Sequence, residues 1–190
     1  PILAEKPDLW IWLGDNIYAD THDMKEMAAS YDLQYQQADY RKLRQTTPVV
    51  GIWDDHDYGI NDGGKNYSQK DSSQRLLLDF LDVPKTSPRR SQKGAYAEHI
   101  FGSGNQKVKL LLLDARYNRD TLLKVEGSYL PNEEGTLLGE AQWEWLEASL
   151  ENSDAAIHIL ACGIQFLPEE HRFEKWANFP NELQRFYDLI

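Results

Sequence analysis

Cysteine is almost absent from this sequence. Of 190 residues only Cys162 carries a thiol, so no intrachain disulfide can form and the redox compartment stays open. No apolar run approaches the ~18 residues that span a bilayer. Basic residues are scarce: 20 Lys and Arg stand against 31 Asp and Glu, a formal net charge of −11. A phosphate backbone is bound by Lys/Arg surfaces, so this balance argues against nucleic acid as a stable partner. Internal repeats and low-complexity tracts are missing. There is no signal peptide, but the chain also opens at Pro1 rather than at an initiator Met, so the lack of a targeting segment carries no information. What is present is 41% hydrophobic and 27% charged residues. That mixture belongs to a globular chain without long disorder, one domain or most of one.

Short apolar runs punctuated by turn residues organise the chain. Leu9–Leu13 (LWIWL) is apolar on both faces, stops at Gly14-Asp15-Asn16, and reads as a central buried strand. Tyr31–Gln45 reads as a surface helix. Val49–Trp53 is a second short strand that runs straight into Asp54-Asp55-His56-Asp57. Ser72–Leu81 is a helix packed by Leu76, Leu77, Phe80 and Leu81. Tyr96–Phe101 and Val108–Leu113 flank Gly102-Ser103-Gly104-Asn105, the spacing of an antiparallel hairpin. Arg119–Thr136 reads as loop, Leu138–Leu150 as a helix and Ala155–Cys162 as another buried strand. A last helix covers Asn181–Ile190. Strands alternating with helices, plus one hairpin, give a mixed α/β layered domain.

Two features share one chemical logic. Each is a buried strand whose carboxyl end carries acids, Gly14-Asp15-Asn16-Ile17-Tyr18 on the first and Asp54-Asp55-His56-Asp57 on the second. Ligands of open α/β sheets sit beyond the carboxyl ends of strands. Adjacent strands lie about 4.8 Å apart, so terminal acids can converge, and like charges that close call for a cation. Carboxylates, a phenol and an imidazole suit hard or borderline metals, and two metals about 3.5–4 Å apart can clamp a phosphoryl group. Gly-Asp-Asn is equally an ordinary turn, and Asp54–Asp57 could be a solvated loop or a calcium loop. The EF-hand pattern fails, with Gly59 at its fifth position and Asn66 at its twelfth.

GDNIYAD (Gly14–Asp20) and WDDHDYGINDGG (Trp53–Gly64) resemble signature motifs of the PhoD-like alkaline phosphatases, a branch of the calcineurin-like metallophosphatases. LLLDARYNRD (Leu111–Asp120), LLGEAQWEWLEASL (Leu137–Leu150) and WANFPNE (Trp176–Glu182) follow in the same order. The resemblance implies an α/β fold of the calcineurin-like α/β/β/α sandwich type with mixed sheets. It implies a phosphomonoesterase or phosphodiesterase that hydrolyses a small phosphate ester with metal-activated hydroxide. Two metal ions are implied, iron with calcium, other divalent cations being possible. Asp15 matches the bridging aspartate, Tyr18 the iron-binding tyrosine, and Asp55 the ligand of the second metal. His56 matches the histidine that contacts phosphate and protonates the leaving alkoxide, a role suited to an ordinary pKa near 6.5.

Arg116 stands beside a strand-ending aspartate. Its fork either pairs with phosphate oxygens or pairs structurally with Asp114 or Asp120. Asn16 and Asn61 are candidates for orienting the ligands. Trp143 and Trp145 read as core, and His158 as a buried structural residue. Asn66-Tyr67-Ser68 is a glycosylation sequon only in a eukaryotic secretory context. The family's opening strand, with its additional ligand, and its closing Gly-Asp-x-His motif are not found, and Cys162 is not in the context of that ligand. Residues 1–190 therefore read as a partial catalytic domain, inactive alone. Secreted, periplasmic or cell-surface location follows from the resemblance only. A calcium-binding interaction module and a non-catalytic scaffold of the same fold are the alternatives.

Overall fold

The computed structural model describes residues 2–190. Its centre is a pair of parallel strands, β1 (Trp10–Leu13) and β2 (Val49–Ile52), in the register Trp10↔Val49 to Leu13↔Ile52. Both strands therefore end at the same level. The link between them is helical. Helix α1 (Met24–Gln36) starts at Asp23, whose carboxylate accepts the Lys25 N–H at 2.8 Å, one of the donors a helix start leaves unpaired. Met27 and Tyr31, one turn apart, are its buried residues.

The single helix expected over Tyr31–Gln45 is in fact two. Gln37 adopts ψ 124° and breaks it, and α2 (Ala38–Thr46) follows. The break re-aims the chain so that Tyr40 and Leu43 enter the core. Tyr40 stacks on Phe80 of α4 (Lys70–Phe80), and its hydroxyl accepts from Trp12 Nε1 and Arg44 Nη1, each at 3.0 Å. No glycine or proline marks the break; tertiary packing of Tyr40 decides it.

The second sheet has the order β3-β4-β7, with β3 (Ala97–Phe101) antiparallel to β4 (Val108–Leu112) and β4 parallel to β7 (Ile157–Ala161). The expected hairpin is thus present. Leu110 and Leu112 belong to the core shared with β1, β2 and helices α1 and α2. Leu111 and Leu113 belong to a second core under α5 (Glu140–Glu151) and α6 (Pro180–Leu189). The alternation of β4 side chains thus feeds two cores. Trp143 is fully buried in the second core, while Trp145 is half-buried against Tyr96.

Two acids join these layers. Asp114, buried at the end of β4, accepts from Trp53 Nε1 at 2.9 Å and from the Ala95, Arg116 and Tyr117 N–H groups. Glu182, from WANFPNE, accepts from Trp143 Nε1 and from the N–H groups of Leu137 and Leu138.

Three expectations are corrected. Ala155–Cys162 is not a buried strand: β7 covers five of those residues, and Ile157 is 55% exposed. Apolar residues on both faces do not separate a central strand from an edge strand. β1 is likewise not enclosed on both sides, since it pairs with β2 alone among the described residues and Leu13 is exposed. Arg119–Thr136 is not all loop. It holds a small hairpin of β5 (Leu123–Val125) and β6 (Ser128–Leu130), turned by Glu126 and Gly127, both at positive φ. Glu-Gly lacks the Asn-Gly signal that advertises such a turn. The four-residue helix α3 (Asp55–Tyr58) was also not foreseen.

Candidate metal centre

Because β1 and β2 are adjacent, parallel and end in register, the residues that follow them meet. Gly14 turns the first chain at φ +104°, and a Cβ there would lie 2.3 Å from Asp54 Cβ, so only glycine allows the two acid loops to approach. Asp15 follows at φ +49°, an uncommon conformation for a residue with a side chain. The conformation is held by Asp57, fully buried, whose Oδ1 accepts the N–H groups of Asp15 (3.2 Å) and Asp54 (2.7 Å). Asp57 Oδ2 accepts from Asn16 N and, at 2.5 Å, from Asn16 Nδ2. Burial raises the Asp57 pKa, and the N–H groups of Asp54 and Asn16 oppose that rise.

Asp15, Asp55 and His56 each offer a ligand atom, all within 4.8 Å of one another. Asp15 Oδ1 is buried with no hydrogen-bond partner. An orphaned carboxylate oxygen in an acidic cluster is the feature a bound cation would satisfy, so the donor set fits a hard metal ion. Asp55 is buried, and its Oδ2 accepts the Asp62 N–H at 2.7 Å. Tyr18 is 70% exposed and donates its hydroxyl to Asp15 Oδ2 at 3.0 Å, which raises its pKa. Its ring packs on His56 with centroids 4.5 Å apart.

His56 Nδ1 lies 2.6 Å from Asp20 Oδ2, leaving Nε2 as the free ring nitrogen. Burial lowers the His56 pKa, but the Asp20 hydrogen bond and the charges of Asp55, Asp20 and Asp15 outweigh it and the net direction is up. Asp20 itself sits at φ +44°, the second acid in this stretch in a left-handed conformation.

Of the orienting candidates, Asn16 is buried and tied to Asp57 and to the Ile52 carbonyl. Asn61 is exposed on the wall of a cleft of about 520 Å³ that reaches Asp55, Asp62 and Glu174.

The structure places Arg116 in a buried cluster of ion pairs. Its side chain pairs with neither the Asp114 nor the Asp120 carboxylate. Nε and Nη2 donate to Asp54 Oδ1 at 2.7 and 2.5 Å, and Nη1 lies 2.5 Å from Glu174 Oε2 and donates to the Gly63 carbonyl. At 1% exposure the guanidinium is buried at the wall of that same cleft, its nitrogens directed to Asp54, Glu174 and the Gly63 carbonyl.

Sequence reasoning did not single out Asp20, Asp62 and Glu174, and it named Asp54 and Asp57 only as members of the acidic run after β2. Asp54 and Asp57 had one readable signal, an Asp-x-x-Asp spacing that here forms a capping box at the start of α3. Asp62 and Glu174 form, with Asp55, a second carboxylate group with oxygens within 4.8 Å. They reach it from loops far apart in sequence, which no local pattern announces. His158, expected to be a buried structural residue, is half-buried and hydrogen-bonded to Ser153 Oγ at 2.8 Å.

Acid-lined loops thus converge at the carboxyl ends of parallel strands in a layered α/β domain, where such folds place their ligands, and the groups there could hold a metal ion. A family model described as PhoD-like phosphatase matches residues 2–183, and the chain belongs to that family. Among solved structures, one described as "Structure of PhoD" is similar, with a TM-score of 0.79 at 21% identity. The match covers 96% of this chain and 42% of that one, and it shows a shared mixed α/β fold. The chain thus spans less than half the length of that structure. No curated protein matches. No helix among the described residues is long and apolar enough to cross a membrane.

Proposed function

We propose that this chain carries part of the catalytic centre of a metal-dependent phosphoesterase acting on small phosphate esters. The observation that carries this reading is the meeting of Asp15, Asp55 and His56 beyond two in-register strands, with Asp15 Oδ1 buried and unpartnered. Membership of the PhoD-like phosphatase family supports the reaction class. Asp15 and Asp55 would hold metal through carboxylate oxygens, with Tyr18 as a phenolate ligand to one ion. When bound, two such ions supply positive charge to the phosphoryl oxygens and lower the pKa of water.

The remaining work falls to the chain. His56, held at Nδ1 by Asp20, presents Nε2 and delivers a proton to the leaving oxygen. Asp57 and Asn16 fix the turn that carries Asp15. The metals are proposed to be iron and calcium, and the working location outside the cytoplasm, both on family grounds. Asp15, Tyr18 and Asp55 are few side chains for two ions. Residues 1–190 are therefore proposed to be a partial catalytic domain that takes up metal weakly and is inactive alone.

The test is hydrolysis of bis-p-nitrophenyl phosphate by the full-length protein with and without chelator. Metal-dependent turnover supports the proposal. Metal binding without turnover would favour the calcium-binding module or the scaffold.

A further inference from the structure

We infer that Arg116 and Glu174 are positioning residues for the candidate centre: a buried ionic clasp that ties the Asp54–Asp57 loop to the segment after β7. The inference rests on the phosphoesterase reading for its catalytic consequence and on geometry alone for the clasp.

Three distant stretches meet at this point. Arg116 follows β4, Asp54 follows β2, and Glu174 lies 13 residues beyond the end of β7 at Ala161. Arg116 grips one oxygen of Asp54 with two nitrogens and reaches Glu174 with a third. Arg119 Nε lies 2.8 Å from Glu174 Oε1, so the glutamate, 9% exposed, is held between two guanidiniums. Arg119 also donates to the carbonyls of Asp62 and Asp120. Each of these buried charges thus has an opposite charge in contact, without which burial would be costly.

The approach is close enough that a Cβ on Gly163 would lie 2.6 Å from Asp54 Cγ. Asp54 is adjacent to Asp55, whose Oδ1 is 3.9 Å from Arg116 Nη2. Moving Asp54 must therefore move Asp55. The clasp also builds the cleft beside the centre: Asp54, Asp55, Arg116 and Glu174 share its lining with Gln165 and His171. Because the Arg116 nitrogens are spent on Asp54, Glu174 and the Gly63 carbonyl, the arginine acts through Asp54 rather than on substrate.

The experiment uses the full-length protein with Arg116→Met, Arg116→Lys, Glu174→Gln and the double variant Arg116→Met/Glu174→Gln. For bis-p-nitrophenyl phosphate, the clasp predicts that Arg116→Met lowers kcat about 10-fold or more. KM and inhibition by inorganic phosphate should stay within about two-fold. Glu174→Gln should lower kcat in the same sense, and the double variant should lose less than the product of the two single losses. Hydrogen exchange gives a second readout that needs no turnover. In Arg116→Met, the hydrogen-bonded amides of Tyr58, Gly59 and Trp176, the last bonded to the Gln165 carbonyl, should open together while those of β3 and α5 keep wild-type protection.

Arg116 would be a direct phosphate ligand, and the inference wrong, if KM and the phosphate inhibition constant rose 10-fold or more while Glu174→Gln kept wild-type kcat. Unchanged exchange at Tyr58, Gly59 and Trp176 would also overturn it. Absence of turnover in the wild type would count against the phosphoesterase reading and leave the exchange result to decide the clasp.

Discussion

The Asp20 carboxylate lies 2.6 Å from His56 Nδ1, across 36 residues of sequence, and Asp20 reaches it from a left-handed backbone conformation. Such backbone strain is kept where surrounding structure requires it. The pair fixes the ring orientation and leaves Nε2 for chemistry, and it favours the protonated imidazole that an acid role needs. It also ties the two ends of the stretch Gly14–Asp20 together: Asp15 at one end lies in the candidate metal site, and Asp20 at the other holds the histidine.

Asp20→Asn in the full-length protein should lower the His56 pKa, because the largest favourable contribution is lost while burial still disfavours the charged ring. A general acid works below its pKa. The alkaline limb of the kcat profile should therefore move to lower pH, with metal content unchanged. A pH–rate profile of the two proteins is the check, and coincident alkaline limbs would contradict the dyad.

His56→Ala should cut turnover about 10²–10⁴-fold on esters with poor leaving groups. The loss should shrink for p-nitrophenolate, which departs without a proton. Measured metal content separates this role from that of a ligand, since Asp15, Asp55 and His56 could also share an ion. Retained metal with leaving-group dependence is expected; lost metal with uniform loss would make His56 a ligand.

The sequence carried the core of this arrangement because its signals are local. Gly-Asp-Asn and Asp-Asp-His-Asp each follow an apolar run, and the β1–β2 register brings them together as adjacent strands must. The meeting of Asp15, Asp55 and His56 was legible for that reason, while the role of each, and that of Tyr18, is what the resemblance implies. Arg116 was visible but its partners were not, since Glu174 is 58 residues away and only the tertiary fold makes them neighbours. The break at Gln37 escaped notice because the residue has no special backbone preference; burial of Tyr40 and Leu43 accounts for it. The β5–β6 hairpin and the exposed face of β7 escaped for a related reason: a short alternation or apolar run does not state what lies beside it.

His99 on β3 offers a stability test away from the centre. Burial, with the nearby Arg89 charge and only partial opposition from Glu98, pushes its pKa down to about 4. Its Nε2 is buried without a partner. The folded state thus favours the neutral ring. The unfolded chain, with an ordinary pKa near 6.5, binds the extra proton between about pH 6.5 and 4. Stability should be full above about pH 6.5 and fall as pH drops through that window. Urea midpoints at pH 7 and pH 5 should differ less in His99→Gln than in wild type; equal differences would remove His99 from the account.

Cys162 should be inert in the native protein. Its Sγ donates to the Ile164 carbonyl at 2.9 Å and accepts from Trp176 Nε1, and burial raises its pKa to about 12. A thiol reagent such as dithiobis-nitrobenzoate should label it only on unfolding. Rapid native labelling would contradict its hydrogen-bonded, partly buried placement against the second core.

On the proposed function, Asp15 holds metal for catalysis at the end of β1. The most direct measurement is metal content together with bis-p-nitrophenyl phosphate turnover, on full-length wild type and Asp15→Asn, before and after chelation and re-addition of iron and calcium. Asp15→Asn keeps the size of the side chain but removes the charge on the unpartnered oxygen. The account predicts that chelation abolishes turnover reversibly, and that Asp15→Asn binds less metal and stays inactive whatever is added back. Undiminished turnover after verified metal removal, or in Asp15→Asn, would contradict it.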